Sequence, residues 1–468
     1  MATIDAAPSA QGSWAELFRR RNAAALATLS LGITLHALNG FLVSTALPNA
    51  VIEIDGVKWI SWAFTVYLVA SILGGALAAL LKGRFGVRAT FFWSALVFLA
   101  GTLVAGLAPS MPVLLVGRVA QGAGDGVIFA LCYVLIPALF PSRLVPKVFG
   151  VEAAIWAVAA FGGPLVAGVI TEFVSWRASF LFNVPLIILF VIMVPLVVPA
   201  EVGGGPVARV PFGRLVGCGA GIMLVAVAGI LPNAAASAAA VAAAIVLLVA
   251  VFRRDRRAAD RLFPRAAFTL SGTVGAGLWV ILLMPVAQAS TAVYLNLTLQ
   301  KLWGFGPTLA AAIAALMAIS WSVVALGIAS FRTPVWPRAM VRLGPLMVSA
   351  GVAGSAAGVA VDMLWLIMAS QIIIGTGFGV SWAYISQAVM EAATPDERDR
   401  ASGLLPTVLT GGYALGAALA GLVAAIMGLT RDVEPAVLAP AVTVVFGVAA
   451  VFGLGAFAAS WRVAPREG

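Results

Sequence analysis

Charged side chains are scarce in this sequence of 468 residues. Asp, Glu, Lys and Arg together make up 10% of it, whereas soluble proteins typically carry about 25%. Hydrophobic residues make up 62%, so the chain has too few polar groups to cover the surface of a soluble fold. The same composition excludes a disordered chain and a coiled coil, and it is typical of a protein that crosses a membrane many times.

Histidine, cysteine and lysine are also rare, and their scarcity excludes several kinds of site. One histidine and two cysteines cannot build a Cys/His metal cluster. Cys132 and Cys218 both lie in apolar runs, so a structural disulfide is not expected. None of the lysines follows a glycine, which excludes a GxxxxGK(S/T) phosphate-binding loop. We therefore expect no metal and no cofactor. A single histidine also makes a nucleophile–base pair unfavourable, so we expect no enzyme.

Long apolar runs are what the chain has in abundance. A helix that crosses a bilayer needs about 20 apolar residues, and the sequence predicts fourteen such helices. The predicted spans are 23–52, 59–81, 90–107, 112–140, 148–172, 179–199, 215–231, 235–252, 268–297, 307–329, 345–361, 364–389, 401–427 and 436–459. The first run is too long for a secretory signal, so we expect it to be retained as a helix.

The basic residues are distributed unevenly between alternate loops. If the N-terminus lies in the cytoplasm, 23 of the 28 Lys and Arg residues fall in cytoplasmic segments and four fall outside. Cytoplasmic loops are the ones enriched in Lys and Arg. The net charge of +10 therefore indicates topology and not nucleic-acid binding. We expect a multi-pass protein of the bacterial inner membrane with both termini in the cytoplasm.

The loops are short, which argues against an inserted soluble domain. The two longest, 201–214 and 253–265, flank the seventh and eighth predicted helices. We therefore predict a cytoplasmic tail (1–22), a six-helix bundle (23–200), a linker with an inserted helix pair (201–266), a second six-helix bundle (267–461) and a C-terminal tail (462–468). The inserted pair is alanine-rich and carries no charge over 215–252, so we expect it to be peripheral.

Short motifs recur within and between the predicted helices. The second and third helices are joined by LKGRFGVR at 81–88, and the fourth helix contains RVAQG at 118–122. The fifth helix contains Gly150, the pair Gly163-Pro164, and Gly168. Proline in a helix removes one backbone hydrogen bond and bends it, so an ordinary kink is one explanation of the pair, but its spacing from Gly150 and Gly168 favours a functional motif. Other stretches are LNGFLVSTALP at 38–48, WR at 176–177 and FNVP at 182–185.

Together with the helix layout, these motifs resemble the major facilitator superfamily, and within it the fourteen-helix drug:proton antiporter branch. The resemblance implies an all-α polytopic membrane protein of two six-helix bundles plus an inserted pair. It implies conformational roles for the motif residues Arg84, Gly86, Arg88, Gly150, Gly163, Pro164 and Gly168. The sequence departs from the family pattern where Gly83 and Asn39 replace acids, and where Ala159 and Ala167 replace glycines.

Ionisable residues inside the spans are the candidates for mechanism, because charge in a membrane is costly. Arg118 and Asp125 lie seven residues apart, which is nearly two turns on one helix face. We predict that Asp125 binds a proton or a cation, and the resemblance implies that Arg118 takes part in coupling. Two alternatives stay open for this pair: it pins neighbouring helices, or Asp125 contacts substrate without coupling.

Two further ionisable residues are predicted to take part in proton coupling. Glu152 lies five residues after Lys147, so it is expected to snorkel to the interface or pair with a basic loop residue. A structural latch and a proton or substrate contact both remain open for it. His36 titrates near neutral pH, and it either handles protons, lines a cavity or simply satisfies a hydrogen bond. Asn39 lies on the same face, and Asp125 is hypothesised to replace the acid missing there.

Amides and aromatic rings along the helices are expected to line an amphipathic pocket, although each alone is also typical of packing. Aromatic walls suit organic cations through cation–π contacts. The predicted lining residues are Asn39, Trp62, Tyr67, Gln121, Gln288, Tyr294, Trp382, Tyr384, Gln387 and Tyr413.

These observations favour a proton-coupled secondary exporter. It would carry hydrophobic small molecules, cationic ones among them, through a site near the bilayer midplane. The proton gradient would supply the energy, and the partners would be substrate, protons and lipid bilayer. We expect a monomer that binds no nucleic acid. Export of a specific metabolite, lipid or siderophore is the alternative, and a non-transporting membrane sensor is the alternative from another class.

Overall fold

The computed structural model describes residues 13–141, 143–198, 211–258, 260–329, 337–429 and 434–463. Within these ranges the chain is α-helical, apart from connecting turns and a 3₁₀ turn at Val57–Trp59. The helices are α1 (Trp14–Leu17), α2 (Arg20–Glu53), α3 (Ile60–Phe85), α4 (Val87–Gly106), α5 (Met111–Leu139), α6 (Val145–Phe173), α7 (Trp176–Leu181), α8 (Asn183–Val197), α9 (Phe212–Ala228), α10 (Ala234–Arg257), α11 (Thr273–Leu302), α12 (Pro307–Ala329), α13 (Pro337–Ala360), α14 (Leu364–Ala392), α15 (Pro395–Ile426) and α16 (Pro435–Ser460).

The expected all-helical membrane architecture is confirmed, but the count of fourteen spans is not exact. Thirteen helices among the described residues are long and apolar enough to cross a membrane, with α7 and α8 joining in one span, Trp176–Val197. Helix α9 is the exception. Its 17 residues extend about 26 Å at 1.5 Å per residue, less than the roughly 30 Å of a hydrocarbon core.

Several helices extend further than the apolar pattern predicts. The predicted span 345–361 starts inside α13, which begins at Pro337, and the predicted span 401–427 starts inside α15, which begins at Pro395. Hydropathy locates only the part of a helix that matches the lipid. Backbone hydrogen bonding continues the helix into polar turns that hydropathy excludes.

Glycines set the close contacts between neighbouring helices. A Cβ added at Gly122 would collide with the carbonyl oxygen of Tyr67, and one at Gly126 would collide with that of Ser71. Helices α3 and α5 therefore touch backbone to backbone along this line. Small residues are the usual means by which apolar helices approach closely, because lipid supplies no hydrophobic drive between them.

Helices α2–α8 form one half of the molecule and α11–α16 form the other. We call the face at which α2 begins and α16 ends the terminal face, and the other the opposite face. Two hydrogen bonds between the halves lie toward the opposite face. The Asn296 amide donates to the Ser44 carbonyl over 3.0 Å, and Glu172 at the end of α6 accepts from the Thr308 backbone N–H over 3.0 Å.

The two inserted helices, which we expect to be peripheral, differ in their contacts. Helix α9 packs against α3 and α15, one helix from each half. The Trp62 indole N–H donates to the Ala226 carbonyl over 3.2 Å, and Gly229 approaches the backbone of Leu422. Helix α10 packs on α9, and only 11% of its span is buried.

The short helix α1 lies against the turn between α5 and α6 at the terminal face. Leu17 is fully buried, and Arg143 donates to both carboxylate oxygens of Glu16, over 2.5 and 3.3 Å. The Lys147 ammonium lies 4.8 Å from the ring centre of Trp14. Arg143, which precedes α6, and Lys147, in the first turn of α6, therefore both contact α1.

Docking of α1 is expected to depend on pH. The hydrogen bond from Arg143 holds the pKa of Glu16 below its usual value of 4.5. A lowered carboxyl pKa in the folded state contributes stability that is present above pH 4.5 and is lost as pH falls through the lowered pKa. Hydrogen exchange corrected for intrinsic rates should show residues 13–19 protected at neutral pH and exposed under acid. Glu16→Gln should remove the protection at neutral pH, while Glu434→Gln, on another helix, should not. Equal protection in Glu16→Gln and wild type would contradict the role of this pair.

Gly126→Ala and Gly150→Ala form a matched pair that tests the α3–α5 contact. A Cβ at Gly126 meets backbone, whereas one at Gly150 meets no atom within 4 Å. Overpacking costs about 1–3 kcal/mol, while alanine gains about 1 kcal/mol over glycine in a helix. Gly126→Ala should therefore lower the thermal unfolding temperature in detergent, and Gly150→Ala should keep or raise it. Unfolding of Gly126→Ala at the wild-type temperature would argue against close packing here.

Candidate functional site

A buried carboxylate lies at the centre of the first half. Asp125 on α5 is fully buried, and its Oδ2 accepts a hydrogen bond from the hydroxyl of Tyr67 on α3. The same oxygen lies 2.7 Å from Nδ1 of His36 on α2. The other carboxylate oxygen, Oδ1, is buried without a hydrogen-bond partner among the described residues. A proton can thus be held between the carboxylate and the imidazole, the chain's only histidine.

Arg118 is joined to this carboxylate through Tyr67. Its Nε donates to the Ala63 carbonyl over 3.0 Å, and its Nη1 donates to Gln121 Oε1 over 2.9 Å. The guanidinium lies 4.0 Å from the ring centre of Tyr67, whose hydroxyl bonds Asp125. The seven-residue spacing correctly suggested that Arg118 and Asp125 are related. It could not show that a tyrosine from another helix connects them.

Amides extend the network around Arg118. Gln121 Nε2 donates to Thr102 over 3.1 Å and to Asn39 Oδ1 over 3.4 Å, and Asn183 Nδ2 reaches the same Asn39 oxygen at 3.4 Å. Asn39 Nδ2 and Asn183 Oδ1 are buried and have no partner among the described residues. These amides hold α2, α4, α5 and α8 together around the arginine.

The His36 ring borders a group of aromatic side chains on its other side. It stacks on Phe129 with ring centres 4.0 Å apart and meets the edge of Trp156 at 5.9 Å. Tyr133 continues the group, 5.0 Å from Phe129. The His36 side chain is 19% exposed while Asp125 is fully buried, so the histidine is the member of the pair that reaches open space.

The structure contradicts the expected environment of Glu152. Glu152 is 1% exposed and neither snorkels to the interface nor pairs with a basic residue. Its Oε1 accepts from the Ser30 hydroxyl over 2.8 Å. The nearby bases are already engaged, because Arg143 bonds Glu16 and Lys147 lies over Trp14. No pattern in residues 1–22 predicted that this tail segment would contact those basic residues.

The predicted cavity residues do not form one surface. Asn39, Tyr67 and Gln121 belong to the buried network, and Trp62 faces α9 instead of the space between the halves. Gln387 lies near the end of α14, exposed, and donates to Glu391 over 2.7 Å. The remaining predicted residues lie in the second half, where Gln288, Tyr294 and Tyr384 are buried and Trp382 and Tyr413 are half-buried.

The motif residues occupy helix junctions and contacts. Gly86, with φ of 77°, joins α3 to α4 in a conformation that favours glycine. Arg88 follows it and donates to the Val198 carbonyl at the end of α8, whereas Arg84 is exposed. The α6 glycines face different neighbours: a Cβ at Gly163 would meet Phe41, and one at Gly168 would meet the Thr308 backbone of the other half. Pro164 lies inside α6.

Sequence reasoning missed the partners that lie on other helices. Ser30, Phe129 and Trp156 were not singled out, although Phe129 follows Asp125 by four residues and Trp156 follows Glu152 by four. Residues four apart share a helix face, so an aromatic one turn after each buried acid was a usable signal. Ser30 offered no such signal, because its contact depends on how α2 and α6 are rotated.

Comparison with known proteins gives consistent matches. The family model described as Major Facilitator Superfamily matches residues 29–357. A probable multidrug-efflux transporter of Mycobacterium tuberculosis is 31% identical over 432 residues, which cover 89% of this chain and 90% of that protein. The multidrug efflux pump SdrM of Staphylococcus aureus is 30% identical over 166 residues, 36% of this chain and 37% of that protein.

Solved structures share the fold. The crystal structure of a mutant of the peptide transporter POT with sulfate superposes with a TM-score of 0.68 at 14% identity and covers 94% of both chains. That of a mutant of the nucleoside transporter NupG gives 0.67 at 13% identity and covers 94% of this chain and 99% of that one. At such low identity these matches concern the fold alone.

Arg118→Lys tests the guanidinium contacts. A lysine ammonium cannot reproduce the planar fork that bonds Ala63 and Gln121 and covers Tyr67. Since a hydrogen bond to a charged group contributes about 1.5–3 kcal/mol, Arg118→Lys should lower the thermal unfolding temperature. Arg84→Lys, at an exposed position, should leave it unchanged. Equal unfolding temperatures for the two variants would show that the network contributes little to stability.

Proposed function

The chain belongs to the major facilitator superfamily of transporters, and we propose that it exports hydrophobic small molecules in exchange for protons. It is a multi-pass integral membrane protein and a transporter, not an enzyme. Its relatives named as multidrug efflux transporters place it among efflux transporters. The coupling ion, the substrate class and the membrane orientation are the proposed parts.

The contact between His36 and Asp125 is the observation that supports proton coupling. A carboxylate and an imidazole 2.7 Å apart can hold one proton in a site that lipid and water do not otherwise reach. His36 is the partly exposed member, so it provides the path by which that proton enters or leaves. Tyr67 and Arg118 stabilise the carboxylate after the proton has gone, through the hydroxyl and the guanidinium behind it.

Coupling requires that the site open to one side at a time. The halves touch toward the opposite face, through Asn296 with Ser44 and Thr308 with Glu172. With the terminal face in the cytoplasm of a bacterial cell, as the distribution of basic residues favours, this arrangement is closed to the outside. A proton on Asp125 would then be released inward, and a substrate would be taken up from the same side.

The substrate class is inferred from the surface next to the acid. Phe129, Tyr133 and Trp156 are half-buried aromatic rings adjoining His36. Such rings attract hydrophobic molecules, and organic cations more strongly through their π faces. An arriving cation would favour loss of the proton from the nearby carboxylate, which links substrate binding to proton release. We propose that the chain does this as a monomer, without a cofactor.

Asp125→Asn tests the proposal in cells that lack their main efflux pumps. Wild-type chain should lower the accumulation of ethidium, a lipophilic cation, and an uncoupler should abolish this effect. Asp125→Asn should accumulate ethidium like the empty vector at equal expression, because the amide cannot exchange a proton. Asp362→Asn is the matched control, since Asp362 is exposed and its φ of 53° suits asparagine. Uncoupler-sensitive efflux by Asp125→Asn at the wild-type rate would overturn the role of Asp125.

A further inference from the structure

Glu152 is a second buried acid in the first half, and the exchange described above does not use it. It lies on α6, is 1% exposed, and bridges to Ser30 on α2. Its Oε2 is buried without a hydrogen-bond partner among the described residues. A carboxylate placed this way is not a structural ion pair, since a hydroxyl is the one partner it has.

The described side chains around Glu152 include no cation. Helix α2 contributes Ser30, and α5 contributes Cys132 and Tyr133, both within electrostatic range of the Glu152 carboxylate. Asp125 also acts on Cys132, so the two acids share a neighbour without bonding the same groups. Helix α12 packs against α6 and carries no titratable side chain.

The basic residues near α6 are engaged elsewhere. Arg143 bonds Glu16 of α1, and the Lys147 ammonium lies over the Trp14 ring of the same helix. On α7, Arg177 bonds Glu53 at the opposite face. None of these bonds leads to Glu152. Burying an ionised carboxylate without a cation is costly, whereas the neutral acid needs only the hydrogen bonds of a hydroxyl and a carbonyl.

The two acids therefore have different surroundings. Asp125 meets the His36 ring and the Tyr67 hydroxyl, with Arg118 behind the tyrosine. These donors suit an anion. Glu152 meets one neutral hydroxyl, which suits a protonated acid. One turn toward the terminal face, Phe149 and Gly150 are exposed.

We propose that Glu152 is a second proton-binding site, loaded separately from Asp125, so that each transport cycle moves one more proton than Asp125 alone would carry. This rests on the proposed proton exchange. In the cycle, a proton adds to the Glu152 carboxylate while the site is open to the outside. The O–H bond breaks on the cytoplasmic side, and the proton passes to water there. No other bond forms or breaks at this site.

The first test measures the ratio of protons to substrate in proteoliposomes. Ethidium is placed on both sides, the membrane potential is clamped at zero, a pH gradient is imposed, and the ethidium concentration gradient at which net flux stops gives the ratio. Glu152→Gln should transport ethidium with a ratio lower by one proton than wild type. Glu391→Gln, at the half-exposed end of α14, should keep the wild-type ratio. A Glu152→Gln ratio equal to that of wild type would overturn the proposal.

A second measurement does not depend on transport. Infrared difference spectra of the purified protein in detergent, with and without ethidium, report protonated carboxylic acids by their carbonyl stretch. Asp125→Asn should still lose such a band when ethidium binds, and the change should be absent when Glu152→Gln is added to Asp125→Asn. A band change in this double variant identical to that of Asp125→Asn would show that another acid carries the proton.

The two measurements separate the possible failures. If the ethidium flux of the wild type does not depend on the pH gradient, the proposed proton exchange fails. If wild type is coupled and Glu152→Gln changes neither measurement, only the second site fails. Should Glu152→Gln not fold, Ser30→Ala removes the one hydroxyl donor and should shift the infrared band without removing it. An unshifted band in Ser30→Ala would contradict the assignment of the band to Glu152.

Discussion

Every ionisable group inside the helical bundle must find its partners within the protein, because lipid tails offer none. This constraint explains the interior of the first half. The Arg118 charge is distributed over a backbone carbonyl, a glutamine and a tyrosine ring. The Tyr67 hydroxyl donates a hydrogen bond to Asp125, and His36 on a third helix contacts the same carboxylate oxygen. The packed helices therefore supply the polar partners that water would otherwise supply to these charged groups.

The RVAQG stretch shows how one short motif serves both packing and chemistry. Arg118 covers the ring of Tyr67, Gln121 accepts from that arginine, and Gly122 lets the Tyr67 backbone approach α5. A side chain at Gly122 would push α3 away and lift the tyrosine from both its charged neighbours. Gly122 is therefore needed to position the Tyr67 hydroxyl, and Arg118 is needed to provide the charged environment of that tyrosine.

Much of the fold and part of the site could be predicted from the sequence, and the division has a physical origin. Hydropathy located the spans because each is a run of apolar residues about as long as a bilayer is thick, and the cost of charge in a membrane singled out Arg118, Asp125 and Glu152. Partners depend on how the helices are rotated against one another, which one sequence does not encode locally. We therefore expected Trp62 to line a cavity, whereas it faces α9. We expected Glu152 to snorkel or to pair with a basic residue, whereas it accepts a hydrogen bond from Ser30.

Helix α9 has a consequence for the speed of the transporter. It lies against α3 of one half and α15 of the other, in an apolar cluster that includes Val69, Ile222 and Ala418. Any motion that parts those two helices obliges α9 to follow one and leave the other, with loss of the side-chain packing on that side. The side chains that α9 presents to whichever half it leaves therefore set the energy that such a motion must overcome.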